Sequence, residues 1–411
     1  MLHYGFYHGL LKKTLKFLIP SKGKILTLNS SADSFPKNAK YDYIFLNGVL
    51  GKSTDIMKLL LSLHSIVKPS SRILVYQHNH LWQGALNVAE RLGLKKKEGI
   101  HNWLSVNDVS AYLKAAGFEV TRIFRKNLFP LELFGLGKLI NQMGVVLPLF
   151  DFFKLDQYLI ARLEPSLAVK KGLESLTVCI TVRNEKANIE PIVKSLPIVC
   201  RQQEILFVEG HSTDGTREEI KRVMKKYPRK NVRVVSQPGK GQGDAIRVGF
   251  KKAKSDIIIL YEGDDTSDPR DLKYFYDAMA GGRFEFIEGS RFVYPLDKQA
   301  MPFLNKLGNI FFAKWFSFFL GQRITDVLSG IKAITKRDYN RLYDQWGFLG
   351  FDDPFGDFEL LYGAARMGLK FGEIPMRYYP RVYGESKSNV LTHGSYLLRM
   401  AAKGYWIFRN N

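Results

Sequence analysis

Cysteine is nearly absent from this chain. Cys179 and Cys200 are the two present, too few for a disulfide framework, so a reducing compartment is expected. Cys179 lies in an apolar run, which suits a small core residue. Long hydrophobic runs are also missing. No stretch offers ~20 uncharged apolar residues, so no transmembrane helix is expected. The N-terminus lacks an apolar core followed by a small-residue cleavage site, so no secretory signal is read there. Acids are scarce beside bases: 39 Asp and Glu against 61 Lys and Arg, a formal net charge of +22. Residues 1–172 hold 24 Lys and Arg against 11 Asp and Glu, and the remainder 37 against 28. That balance points to an anionic partner, a phosphorylated substrate or lipid surface, or else to general solubility. Nucleic acid is disfavoured, because the basic residues are dispersed and no aromatic-basic recognition motif occurs.

Against those absences stands one dense stretch, Ile257 to Pro269. An unbroken apolar run, Ile257-Ile258-Ile259-Leu260-Tyr261, ends abruptly in Glu262-Gly263-Asp264-Asp265. Such a run reads as a strand buried on both faces. Its acids then lie at the carboxyl end, where open α/β sheets bind ligands. Glu262 and Asp264 flank Gly263, so both carboxylates can reach one divalent cation. A solvated acidic turn is the plain alternative, and the flanking sequence weighs against it.

A chain of 411 residues is expected to form two domains. Residues 1–165 read as alternating helix and strand, with strands over Lys24–Asn29, Tyr41–Asn47, Arg72–Gln77 and Phe118–Phe124. Helical periodicity covers Asp55–Val67 and the span from Asp108 to Gly117. Leu128–Leu163 is apolar and aromatic but interrupted by charges. It is read as a helix pair that packs as a linker or lies at an interface, with packing expected. From residue 172 to 411 strands again alternate with helices, at Leu176–Val182, Glu204–Val208, Val232–Ser236 and the stretch above. Polar clusters follow each strand, so a parallel sheet would gather them on one edge.

The first part, over about residues 20–130, resembles the back half of a class I S-adenosylmethionine-dependent methyltransferase. KPSSRILVYQHN and WLSVNDVSAYLKAAGFEV carry that resemblance. The family binds its cofactor at a glycine-rich turn after the first strand, where backbone must approach closely. Here that turn reads Leu28-Asn29-Ser30-Ser31-Ala32-Asp33, without glycine. Only 12 residues separate Asn29 from Asp42, too few for the missing strand and its helices. A truncated Rossmann-like remnant that binds no S-adenosylmethionine is expected.

The second part, over about residues 174–390, resembles family-two glycosyltransferases of the GT-A fold, in the dolichyl-phosphate mannosyltransferase-like branch. VRNE (Val182–Glu185) stands where that family has AYNE. VEGHSTDGT (Val208–Thr216) stands for VDDGSTDGT, and KGQGDA (Lys240–Ala245) matches the glycine-rich turn. EGDDTSDP (Glu262–Pro269) stands for DADxxxDP. Thr325–Gly330 answers DxxSG, and Arg381–Lys387 answers RxxGxSK. The fold class expected is therefore α/β: a GT-A nucleotide-diphospho-sugar transferase domain at 172–411, preceded by the smaller domain at 1–165.

The resemblance implies roles. Glu185, Glu209, Lys240, Gly241 and Asp244 are expected to bind the nucleotide-sugar donor. Glu262 and Asp264 are expected to hold Mg²⁺ or Mn²⁺ on its diphosphate. Asp264, Arg291, Asp326, Arg381 and Lys387 are the expected catalytic set, the three basic ones as phosphate clamps. A lipid-phosphate acceptor is already anionic and needs no strong base. A sugar hydroxyl would need one, with Asp326, Asp357 and Glu359 as candidates. Phe303–Leu320 (FLNKLGNIFFAKWFSFFL) reads as an amphipathic helix, either interfacial or packed on the core. The expectation is an inverting transferase acting on a polyprenyl or dolichyl phosphate, peripheral at the cytoplasmic membrane face. A glycan acceptor and a non-catalytic scaffold are the alternatives, and the lysine-glycine turn with its acid pair argues against the scaffold.

Overall fold

A computed structural model describes residues 2–30, 39–93, 102–165, 174–294, 301, 303–346, 356–381, 383 and 390–411. The chain divides into two compact units. One comprises Met1–Lys170 with Phe319–Gln322 and Tyr405–Asn411, the other Lys171–Phe318 with Arg323–Gly404.

The first unit is built on strands β1 (Ile25–Leu28), β2 (Tyr41–Asn47), β3 (Val67–His78), β4 (Phe118–Lys126) and β5 (Asp156–Leu163). Their order is β1-β2-β3-β5-β4. The first three run parallel, and β5 is antiparallel to both its neighbours. Ile44, Leu46, Ile73, Val75, Leu159 and Ala161 form one core with Leu59, Leu60, Val109 and Leu113 from the covering helices. The helix Val106–Ala115 starts in a capping box of Ser105 and Asp108, which satisfies two of its orphan amides. Gly117, at φ 80°, then turns the chain into β4.

Leu128–Leu163 is not a helix pair, because its last eight residues are β5 in the interior of the sheet. Asp156 through Arg162 are all buried. A strand buried on both faces cannot be told from a buried helix by periodicity alone. Only Leu136–Val146 is α-helical, followed by 3-10 turns over Pro148–Phe153.

The second unit holds β6 (Ser175–Val182), β7 (Gln202–Glu209), β8 (Val232–Ser236), β9 (Ile257–Glu262), β10 (Phe286–Ser290), β11 (Lys332–Thr335) and β12 (Phe371–Pro375). The order is β12-β10-β11-β9-β6-β7-β8. Strands β8, β7, β6 and β9 are parallel, β11 is antiparallel to β9 and β10, and β10 and β12 are parallel. The carboxyl ends of the other six strands and the amino end of β11 therefore share one edge. One face buries Val178, Ile180, Phe207, Ile259 and Tyr261 under Ile189, Ile192, Ile220, Leu272 and Phe275. On the other, the helix Gln242–Lys252 packs close enough that a Cβ on Gly249 would lie 2.3 Å from Cys179 Sγ. Cys179 is buried as expected, and burial pushes its thiol up to about 12. Both cysteines are free.

Candidate active site

The polar clusters meet on that common edge. β6 ends beside Glu185, whose carboxylate accepts from Asn188 Nδ2 at 2.7 Å and Arg381 Nη1 at 3.3 Å. Arg381 Nη2 donates to Asp264 Oδ2 at 2.6 Å. One guanidinium thus joins the loop after β12 to the ends of β6 and β9. Asp264 is held from its other side by Thr266, whose hydroxyl donates at 2.7 Å. Gly263 is required where it stands. A Cβ there would come 2.5 Å from Val182 Cγ1 and 2.7 Å from the Thr181 carbonyl.

Glu262 turns towards Gly330 in the loop before β11. A Cβ on Gly330 would fall 2.0 Å from the Glu262 Cδ. The missing side chain of that glycine makes room for the carboxylate, a role the motif spacing did not reveal. Gly330→Ala is expected to displace Glu262 and lower turnover about tenfold to a hundredfold. Thermal unfolding should shift only modestly, because the displaced atoms, Cγ at 2.2 Å included, all belong to one side chain at the strand end. Steady-state kinetics beside a melting curve check both halves.

Glu209 ends β7 buried, accepting from the Ser212 amide at 2.5 Å, with Arg217 Nη1 at 3.5 Å. The glycine turn after β8 is tied back to it, since the Gln237 amide donates to the Glu209 carbonyl at 3.1 Å. Gln237 Nε2 then brackets the turn through the carbonyls of Gly239 and Gly241. Asp244 accepts from the Gly239 amide at 2.8 Å, so it closes its own loop. Gly241 sits at φ 85° and begins the helix Gln242–Lys252, while Lys240 is exposed. The helix start and the lysine together suit a phosphate.

Arg291 and Asp326 are held by each other. Arg291 Nε and Nη2 donate to the two Asp326 oxygens at 2.7 and 2.8 Å, and its backbone amide adds a third bond at 3.1 Å. Asn309 Nδ2 donates to the same carboxylate at 2.7 Å. Burial alone would raise the Asp326 carboxyl, yet the charge and hydrogen bonds of Arg291 hold it below the usual carboxylate range. The guanidinium also lies 5.1 Å from the centre of the Tyr378 ring. Glu359 accepts from Arg247 Nη1 at 3.3 Å. Lys387 and the side chain of Asp357 lie outside the described residues. Asn309 and Tyr378 were not anticipated. A buried asparagine within the aromatic helix Phe303–Leu320 was the available signal for the first.

Among the described residues, no group of three or more His, Cys, Asp or Glu side chains could hold a metal ion. Glu262 and Asp264 supply two carboxylates from one turn. That donor set fits a hard cation whose remaining ligands are phosphate oxygens and water.

Residues 177–342 match the family model described as glycosyl transferase family 2. The chain carries a family 2 glycosyltransferase domain. Its sheet belongs to the GT-A type, with the mixed strand order given above. Glycosyltransferase AglJ of Haloferax volcanii is 30% identical over 182 residues, 44% of this chain and 55% of that one. The match thus spans just over half of that relative's length. A dolichyl-phosphate hexose transferase from the same organism is 27% identical over 224 residues, 54% of this chain and 90% of its own. Among solved structures, glucosyl-3-phosphoglycerate synthase of Mycobacterium tuberculosis is 14% identical. It covers 58% of this chain and 80% of its own, at a TM-score of 0.41. A likeness that slight bears on neither ligand nor chemistry. The family match embraces Glu185, Glu209, the Lys240 turn, the acid pair and the Arg291–Asp326 pair.

Proposed function

We propose that this chain is an inverting, metal-dependent transferase that moves a sugar from a nucleotide-sugar to a polyprenyl- or dolichyl-type phosphate. The observation that carries the reading is the bridge of Arg381 between Glu185 and Asp264, which draws three separate motifs into one rim. In this reading Glu185 and Glu209 accept hydrogen bonds from the nucleoside. Lys240 and the amides that open the helix after Gly241 meet the diphosphate, with Asp244 keeping that turn closed. Glu262 and Asp264 would hold Mg²⁺ or Mn²⁺, which supplies positive charge against the leaving diphosphate. Arg381, with Lys387, orients an incoming phosphate, while Arg291 keeps a fixed cation behind it.

What the two described candidate bases are doing supports a lipid-phosphate acceptor. A sugar hydroxyl must lose a proton as it attacks. Asp326 has both oxygens committed to Arg291 and Asn309, and Glu359 is buried against Arg247. A lipid phosphate needs no such base. The name of the dolichyl-phosphate hexose transferase relative supports the same acceptor. On the helix Phe303–Leu320, Leu307, Phe311 and Phe318 are exposed while Asn309, Phe312 and Phe316 are buried. That outward apolar face suits a peripheral position at the cytoplasmic side of a membrane. No described helix is long and apolar enough to cross one.

The test is a panel of radiolabelled nucleotide-sugars with polyprenyl phosphate and a divalent cation. Label is expected in the organic phase for one donor. Transfer only to glycan or other hydroxyl acceptors would overturn the lipid reading.

The first unit is proposed to be a methyltransferase-like remnant. β1 leads into Asn29 and Ser30 with no glycine, and Asn29 Oδ1 accepts from Asn47 Nδ2 at 2.8 Å. Titration calorimetry with S-adenosylmethionine is expected to show no saturable heat. A dissociation constant of about micromolar size would reverse this view.

A further inference from the structure

Residues 133–153 in the first unit turn their polarity inside out. Leu136, Leu139, Met143 and Val146 line one side of the helix Leu136–Val146, and all four are exposed. Phe134 is 109% exposed, Leu149 81%, Phe152 59% and Phe153 55%. Leu133 and Leu147 are exposed beside them. Solvent-facing leucines are ordinary one at a time, but ten large apolar side chains in a single segment are not. The tip is also strained: Leu133 and Phe134 take φ of 40° and 52°, a conformation bulky side chains rarely adopt. Strain of that kind persists where the surrounding fold imposes it, often at functional sites.

Lys138 and Gln142 are exposed at the flanks of this face, while other polar groups of the segment point the other way. Asn141 accepts from the amides of Leu128 and Phe129 and donates to the Phe129 carbonyl. Asp151 is bound by Lys154 and Arg409. A helix end leaves four carbonyls without intrahelical partners. Here the Gly144 carbonyl takes Arg409 Nη2, that of Leu147 takes the Phe150 amide, and the Tyr405 hydroxyl donates to the Val145 carbonyl at 2.5 Å with that of Val146 3.3 Å away. Farther on, the Phe152 carbonyl accepts from Asn79 and the Phe153 carbonyl from Trp82. Backbone that meets water has no need of such internal pairing. Backbone that enters hydrocarbon does, because nothing there can hydrogen-bond to it.

Charge narrows the partner further. Lys154 and Arg409 lie behind this segment, both bound to Asp151. The 24 Lys and Arg against 11 Asp and Glu over residues 1–172 give that whole part of the chain a positive field. A protein partner would meet a polar rim around an apolar centre. An anionic bilayer asks for apolar side chains that insert and a cationic body above them.

From these features we infer that residues 133–153 form a monotopic membrane-docking face, inserted among the acyl chains of an anionic lipid surface. This placement stands apart from the transferase reading, since it is measured without donor or acceptor. The full chain is floated with phosphatidylcholine vesicles, with and without phosphatidylglycerol. It is expected to rise with the anionic vesicles, and the double variant Phe134→Ser, Leu149→Ser to lose at least about tenfold in partitioning. Both side chains stand clear of the core, so an unchanged melting curve confirms that the variant folds. No flotation of the parent chain, or equal flotation of the variant, would overturn the proposal. So would sedimentation showing a dimer that the double variant converts to monomer without any vesicle binding by the parent.

Discussion

Asp264→Ala is expected to reduce sugar transfer about a thousandfold while leaving the protein folded. The carboxylate has two tasks in the structure. Its Oδ1 is steadied by the Thr266 hydroxyl at 2.7 Å, and its Oδ2 receives Arg381 Nη2 at 2.6 Å. Removing it deletes one of the two acids offered to a cation. It also removes one of the two carboxylates that Arg381 meets among the described residues. Asp264→Asn separates the two effects. The amide keeps the shape and a bond to Thr266 but carries no charge, so turnover should fall nearly as far as with alanine. Rates across a titration of Mg²⁺ or Mn²⁺ supply the second reading. Wild-type turnover in either variant would remove the metal role from this turn.

Much of this site was legible because of how parallel sheets are built. An apolar run bounded by turn residues reads as a strand, and β2 and β8 lie where the sequence placed them, over Tyr41–Asn47 and Val232–Ser236. Once such strands run parallel, whatever follows each of them must lie on one edge. That is why Glu185, Glu209, Lys240 and Asp264 could be grouped before any geometry was known. The short strands β11 and β12 escaped notice for the opposite reason. β11 begins with Lys332, a buried lysine placed 3.5 Å from Glu288 on β10, and a buried charge breaks the apolar signature. β5 was hidden differently, since its uniform burial looks helical as readily as extended. Arg291 and Asp326 were read as a clamp and a base acting separately. Their partnership depends on the loop before β11 returning to the end of β10, which no local spacing encodes. Gly330 likewise looked like a turn residue until Glu262 was seen against it.

That buried pair leads to the second large effect. Asp326→Ala is expected to destabilise the fold by about 3–5 kcal/mol, because it strands the Arg291 charge in the interior. For a unit of this size the melting temperature should fall by roughly 10 °C. Replacing both partners, as Arg291→Met with Asp326→Leu, removes the stranded charge and should recover most of that loss. Turnover should stay low in the double variant, since the cation beside Tyr378 has gone. Recovery of both stability and turnover would make the pair purely structural. The acid limb gives an independent check. The folded Asp326 carboxyl lies below its ordinary value because Arg291 outweighs burial. Its contribution is therefore complete above the usual carboxylate range, about pH 4, and drains away as pH falls through the lower folded value. Below that range the unfolded chain binds the extra proton, so stability declines with acid. Asp326→Asn carries no such proton. Its stability should decline less steeply between about pH 5 and pH 3, from a lower starting point, in denaturant titrations at each pH. An unchanged slope would mean that the folded Asp326 carboxyl is not held below its unfolded value.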